Sequence, residues 1–442
     1  MKNFEKSSII SDVAYNKRKA DFLPRDEQSR LNHAMKDKLL RFVSELQEEE
    51  SRPQTMKQVD SMMNEMHGQR VKDLYKYRKA GNHVVSLLCN SIPPELIYGI
   101  DNCIPVTVCM GGGEVESYAD DYTHGMCSVT RSMTGFLSTG MCVFFNVSDY
   151  VIASGICCSI NKTANNIKDL TNDLLVYSTD IKHNGKNDVK LNTSSILQWI
   201  HGIKQNEELN KERLLKYARI YSELRQVYRS IMDSRKEANP PINGKNTLWA
   251  QQLFLVEDPE KLLASMKELE KELQERINAG KGYDPEGKKK RILLITPRIM
   301  PPFTEIYRLI EKNNALIVHE KTCMGIDNFD YQPEEFARLL ESEDASMETA
   351  LKYTTENMNN ESCACFSGYD FDNLKQSIKE YNVDAVINYS FSNCPKMELK
   401  IKDIKEQLQK EDIPVMNLQT DYLQIYEKEE EIVEQIGKFL SD

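Results

Sequence analysis

The chain has 442 residues, enough for two or three domains at the usual ~150 residues each. Its net charge of −11 argues against a general nucleic-acid binder, which needs a basic face. No apolar run approaches the roughly 18 residues of a membrane span, and MKNFEKSSII has no signal core, so the expected location is the cytoplasm, where eleven cysteines are read as buried small residues or metal ligands rather than disulfides.

Residues 1–80 are expected to form a helical N-terminal arm. Apolar residues recur at helical spacing over Asn32–Glu49 and Gln58–Lys79, as in Leu39, Leu40, Phe42, Val43 and Leu46. Such helices pack against the body or against a partner subunit. Residues 81–205 alternate strand and helix, with strands expected near 84–88, 105–109, 143–146, 149–154 and 173–178. That alternation predicts a parallel sheet with helices on both faces. Pro93 and Pro94 open a helix after the first strand, and Glu95 in its first turn reads as a favourable charge there or as a functional acid. Residues 206–289 read as a helical connection. Glu212 to Lys236 has a helical pattern, Pro240–Pro241–Ile242–Asn243–Gly244 breaks it, and Asp258–Pro259 starts a helix to about Asn278. Residues 290–442 form a second α/β unit. Its strands are expected over Arg291–Thr296, Ala315–Glu320, Asp384–Tyr389 and Pro414–Leu418, with helices at 303–312, 333–343, 371–381, 396–410 and 426–440. The fold class is α/β, with two parallel-sheet units, the arm and the connecting segment.

The chemistry is carried by cysteines. Ligands of open α/β sheets bind beyond the carboxyl ends of the strands. Cys89, Cys157, Cys323 and Cys394 each follow an expected strand, so parallel sheets bring them to one edge. Cys127 precedes an expected helix, and Cys363 and Cys365 lie in a polar loop. Cys89, Cys127 and Cys157 are 38 and 30 residues apart, and Cys323, Cys363 and Cys394 are 40 and 31 apart. Thiolates gathered at one edge repel unless a cation neutralises them, and thiolate sulfur selects zinc or iron–sulfur clusters. Structural zinc usually shows close cysteine pairs. Ligands from widely spaced loops suit a cluster between domains better. Cys103 and Cys142 fall in apolar runs and are expected in the core, while Cys109 and Cys158 stay undecided. Gly111–Gly113 fits a phosphate cradle or a tight loop. The segment from Gly282 to Lys289 nearly matches a P-loop, but it ends on Lys and precedes a strand, so it reads as a charged linker.

Over about residues 70–442 the chain resembles the 2-hydroxyacyl-CoA dehydratase and benzoyl-CoA reductase superfamily. The resemblance is carried by LLCNSIPPELIYG, RKEANPPING, HEKTCMGIDNF and IPVMNLQTDY. Within it the chain is most similar to the double-cubane cluster proteins, on Cys109 with its glycines, Cys142 ahead of FFNVSD, the CxC of Cys363 and Cys365, and the larger number of cysteines. The resemblance implies two Rossmann-like domains with iron–sulfur chemistry between them. Single-cubane members of the superfamily hold their cluster by three cysteines; double-cubane proteins hold two linked cubanes (8Fe–9S) by six. Carried over by motif, the six are Cys89, Cys127, Cys157, Cys323, Cys363 and Cys394, with Cys365 as substitute for Cys363 and Cys158 for Cys157. The chain departs from the family pattern next to these positions, reading DYTHGMC before the second cysteine and CCSI after the third strand.

The function expected from the resemblance is a low-potential, ATP-dependent iron–sulfur oxidoreductase of a small substrate. It would act as a homodimer and receive electrons from a separate ATP-hydrolysing iron–sulfur activator protein. The alternative is a subunit of a 2-hydroxyacyl-CoA dehydratase or benzoyl-CoA reductase with a single 4Fe–4S cluster. A further alternative is a non-enzymatic electron carrier or cluster-storage protein.

Overall fold

The computed structural model describes residues 23–89, 92–108, 111–154, 158–171, 175–179, 181–183, 189–191, 210–322, 333–342, 346–356 and 371–441. It is an α/β protein with two Rossmann-like parallel sheets, an N-terminal helical segment and a helical connection.

The N-terminal segment folds as α1 (Arg25–Gln47), α2 (Met56–Met66) and α3 (Gln69–Lys79). The single helical pattern read over 58–79 breaks at His67–Gly68. The apolar stripes of α1 and α2 bury Phe42, Leu46, Val59 and Met63 against the body. Phe42 meets Trp249 edge-on at 5.8 Å. Arg52 binds Asp60 with two hydrogen bonds of 2.7 and 2.8 Å, and Trp249 Nε1 donates to the same carboxylate at 3.0 Å. A buried ion pair of this kind holds only because its remaining donors and acceptors are satisfied.

In the first sheet β1 (His83–Leu88) lies at the centre, flanked by β2 (Cys103–Val108) and β3 (Tyr150–Ser154), with β4 (Leu175–Thr179) outermost. All pairings are parallel. Parallel strands buried on both faces read as continuous apolar runs, and Val84 to Leu88 is buried throughout. Helices α4 (Ser128–Thr139) and α5 (Cys158–Leu170) accompany this sheet, and a hairpin of β5 (Ile181–His183) and β6 (Val189–Leu191) follows it. The strand expected at 143–146 is instead a short helix, Val143–Val147. Cys142 Sγ accepts from the Phe145 amide at 3.4 Å at its start, and Asn146 Nδ2 ties it back to the Gly140 carbonyl at 2.8 Å. An apolar run this short has no period that separates a buried helical turn from a strand.

The connection consists of α6 (Lys211–Asp233), α7 (Gly244–Gln251) and α8 (Pro259–Asn278). Asp258 caps α8 by accepting from the amides of Glu260 and Lys261 at 3.1 Å, and Pro259 occupies the first turn. Leu262, Met266, Leu269 and Leu273 then form its buried stripe.

The second sheet has β7 (Lys290–Ile295), β8 (Ala315–Lys321), β9 (Ala385–Phe391) and β10 (Val415–Thr420), in the order β10-β9-β7-β8. Helix α9 (Pro395–Gln409) follows β9. Counted along the chain, both sheets have the same strand order: second, first, third, fourth.

Candidate metal centre

That order puts a topological switch point between the first and third strands of each sheet, the place where open α/β sheets bind ligands. Cys89 sits there, one residue beyond β1, where Leu88 is in register with Ala153 of β3. It is half-buried, with φ of 94°. A non-glycine residue held in the left-handed region is strained, and such residues gather at functional sites. On the second sheet Cys394 follows β9, half-buried at the start of α9. Cys157, Cys323, Cys363, Cys365 and Cys109 lie outside the described residues. Cys158 begins α5, and the structure describes its backbone only.

The structure brings two of the candidates together across the two units. Cys127 is buried at the N-terminus of α4, and its side chain hydrogen-bonds with that of Cys394. Its Sγ also lies 3.1 Å from Ser159 Oγ and 3.6 Å from Thr130 Oγ1. The bond from Cys394 is the largest influence on the Cys127 thiol; burial opposes it, the Ser159 and Thr130 bonds add to it, and together they bring the thiol down to about 5. These bonds favour the charged form of the Cys127 sulfur, and burial disfavours it. Among the described residues no three His, Cys, Asp or Glu side chains stand close enough to hold a single metal ion.

The surroundings are built by the motif segments. Arg235, from RKEANPPING, is buried and pairs in bidentate fashion with Glu320, from HEKTCMGIDNF, with Nη1 donating to Oε1 at 2.8 Å. A Cβ on Gly111 would come within 3.0 Å of the Tyr422 hydroxyl, and one on Gly112 within 3.0 Å of Phe136. Gly111 thus serves close packing against the second unit, and Gly112 packing against α4 of the first. Glu116 lies beside Cys127, Ser128 and Asp421, and Arg131 reaches its Oε2 at 3.1 Å. Burial pushes the Glu116 carboxyl up to about 8, with Arg131 working in the other direction. Sequence reading missed Ser159, Thr130, Glu116 and Arg131, because only tertiary folding assembles them.

Other candidates are structural. Glu95 is fully buried and accepts from Arg225 at 2.9 and 3.0 Å. Cys103 and Cys142 are core residues, and burial pushes the Cys142 thiol up to about 12. In the P-loop-like segment the Asp284 carboxylate accepts from the amides of Lys288 and Lys289 at 2.9 and 3.1 Å, occupying donors that a phosphate would need.

The donor set fits an iron–sulfur cluster. Two thiols, Cys127 and Cys394, face each other from the two units, and their hydrogen bond favours the charged form of Cys127. On the second sheet Thr296 directly follows β7 and Ser390 lies on β9, and among the described residues their buried hydroxyls have no hydrogen-bond partner. Such hydroxyls suit the acceptor sulfurs of a cluster.

The sequence profile of the family described as 2-hydroxyglutaryl-CoA dehydratase, D-component, matches residues 89–441. No curated protein matches the chain. The profile match places the chain in a family of ATP-dependent iron–sulfur enzymes, so the cofactor is an iron–sulfur cluster. It also corrects three expectations. The likeness to the double-cubane proteins, and the double-cubane reductase drawn from it, give way to a dehydratase component. Cys142, one of the marks taken for that branch, is a core residue whose sulfur caps a short helix. The expected partner changes as well, from a separate ATP-hydrolysing activator to a catalytic dehydratase subunit. Among the described residues no helix is long and apolar enough to cross a membrane.

Proposed function

Because the chain belongs to the 2-hydroxyglutaryl-CoA dehydratase D-component family, we propose that it is a subunit of a 2-hydroxyacyl-CoA dehydratase holding a single 4Fe–4S cluster. The observation that carries this reading is the contact between Cys127 and Cys394 across the two units. These two thiolates hold the cluster between the unit of residues 81–205 and that of residues 290–442. The third comes from the edge of the first sheet, from Cys89 or from Cys157. Cys157 is two residues before Ser159, whose hydroxyl touches Cys127. When bound, such a cluster supplies single electrons at low potential to a thioester carbonyl.

The chain's own side chains do the rest. Ser159 and Thr130 donate to the Cys127 sulfur and so favour its charged form. Arg131 holds Glu116 beside the pair, and Gly111 lets Tyr422 close over the loop. The partner is another catalytic subunit of the dehydratase.

The test is the iron and acid-labile sulfide content of protein purified without oxygen, together with water loss from a 2-hydroxyacyl-CoA in the presence of the partner subunit. About four irons per chain, the content of one cubane, are expected. Protein that carries no iron, or that leaves 2-hydroxyacyl-CoA esters unchanged, overturns the reading.

A further inference from the structure

The Cys127 sulfur is held by two helices of the first unit. Cys127 stands at the N-terminus of α4, and Ser159 is the second residue of α5. Two polar contacts join these helices. Ser159 Oγ meets Cys127 Sγ at 3.1 Å, and seven residues further along each chain segment Asn166 Nδ2 donates to Thr134 Oγ1 at 3.2 Å. Seven residues are about two helical turns, so α4 and α5 lie side by side in the same direction, with Ser159 in register with Cys127. All four side chains are buried. Helix packing therefore positions this hydroxyl, and no loop is involved. Ser159 belongs to CCSI, where the chain departs from the family pattern.

Either atom of the Ser159–Cys127 contact can donate while the thiol keeps its proton. A sulfur bound to iron has no proton, so there the hydroxyl is the donor. Thr130 Oγ1, at 3.6 Å from the same sulfur, makes a longer second contact. Cys394 meets the sulfur from the other unit, but it too loses its proton on binding iron. Hydrogen bonds to the sulfurs and exclusion of solvent set the reduction potential of an iron–sulfur cluster. A donor draws charge from the ligand sulfur and so makes an added electron less costly. Out of contact with water such a bond is stronger.

We propose that Ser159 is a positioning residue for electron transfer: acting through the Cys127 sulfur, its hydroxyl raises the reduction potential of the cluster, so that a weaker electron donor suffices to reduce it. The inference rests on the reading of Cys127 as a cluster ligand and adds the side chain that tunes that cluster.

The test is an anaerobic redox titration of the holoprotein, followed by electron paramagnetic resonance, on the unsubstituted chain and on Ser159→Ala, Ser159→Thr, Ser159→Val and Thr130→Val. At the potential that half-reduces the unsubstituted protein, the ratio of reduced to oxidised cluster should fall about fivefold or more in Ser159→Ala and Ser159→Val, for the loss of one hydrogen bond to a charged group. Ser159→Thr keeps a hydroxyl and should keep the ratio. Thr130→Val should lower it less, because its contact is longer. Iron content should stay full in all four variants. An unmoved ratio in Ser159→Ala, or equal ratios in Ser159→Thr and Ser159→Val, overturns the inference and leaves the dehydratase reading intact. Loss of iron from Ser159→Ala would make the hydroxyl a structural group and overturns the inference as well. An unsubstituted protein without iron overturns the reading of the centre itself.

Discussion

The two sheets share one strand order and differ in what stands at the same place in it. In the first sheet the switch point carries sulfur on the first strand, at Cys89, and the chain beyond β3 leads to Cys157. In the second, the first strand is followed by Thr296, Pro297 and Arg298, and sulfur follows the third strand, at Cys394. The same frame thus presents different groups from its two halves, and the contact of Cys127 with Cys394 needs both. Repeated topology supplies the location, and the residues at the strand ends supply the chemistry. The halves also differ in how the connection grips them. Arg225 of α6 pairs with Glu95 of the first unit, and Arg235 just beyond α6 pairs with Glu320 of the second.

The sharpest way to break this comparison is to remove sulfur from each half in turn. Cys127→Ala and Cys394→Ala should each lose most of the bound iron, measured on protein prepared without oxygen. Cys89→Ala tests whether the first switch point supplies the third thiolate: loss of iron assigns it to Cys89, and retention assigns it to Cys157. Cys103→Ala is the control, expected to keep its iron and to lose about 1 kcal/mol, as a small core truncation does. Full iron in both Cys127→Ala and Cys394→Ala would remove the centre from this position.

The next effect in size concerns the two clamps. Removing one partner of a buried ion pair leaves the other charge uncompensated, at a cost of about 3–5 kcal/mol. Arg225→Ala and Arg235→Ala should therefore both lower the denaturant midpoint. They should differ in hydrogen exchange, with Arg225→Ala exposing amides of the helix Pro94–Tyr98 and Arg235→Ala those of β8. Identical exchange patterns in the two variants would mean that the clamps do not act on separate halves.

The smallest effect is one of pH. Glu116 is raised by burial from an ordinary carboxyl to about 8. Its neutral form is the one the fold prefers, so its contribution is fully present below the usual carboxyl range and is lost as pH rises through about 8. Glu116→Gln should flatten the dependence of melting temperature on pH between these limits. An unchanged slope would show that Arg131 outweighs burial and keeps the carboxylate ionised.

The strands were legible because parallel strands buried on both faces are short apolar runs, as at His83–Leu88 and Ala315–Lys321. Helix α8 was legible from Asp258 and Pro259 at its start and its stripe of Leu and Met. Helix α7 was not. Nearly every residue from Gly244 to Gln251 is buried, so it has no polar face and no amphipathic period. Val143–Val147 was mistaken for a strand for the related reason that five residues, four of them buried, carry no period. At the site, the strand-end positions of Cys89 and Cys394 could be read from the chain, and so could the core character of Cys103 and Cys142. The count of cysteines misled, because Cys142 was also taken as a mark of the double-cubane branch. The meeting of Cys127 with Cys394 and Ser159 depends on how two sheets dock, and no local pattern records it.

Arg225 and Arg235 are ten residues apart on one continuous piece of backbone, and each is locked to a different unit. Helix α6 therefore works as a calliper set before anything is measured. Both grips are protein contacts, so the span between the two halves that carry Cys127 and Cys394 is written into the folded chain.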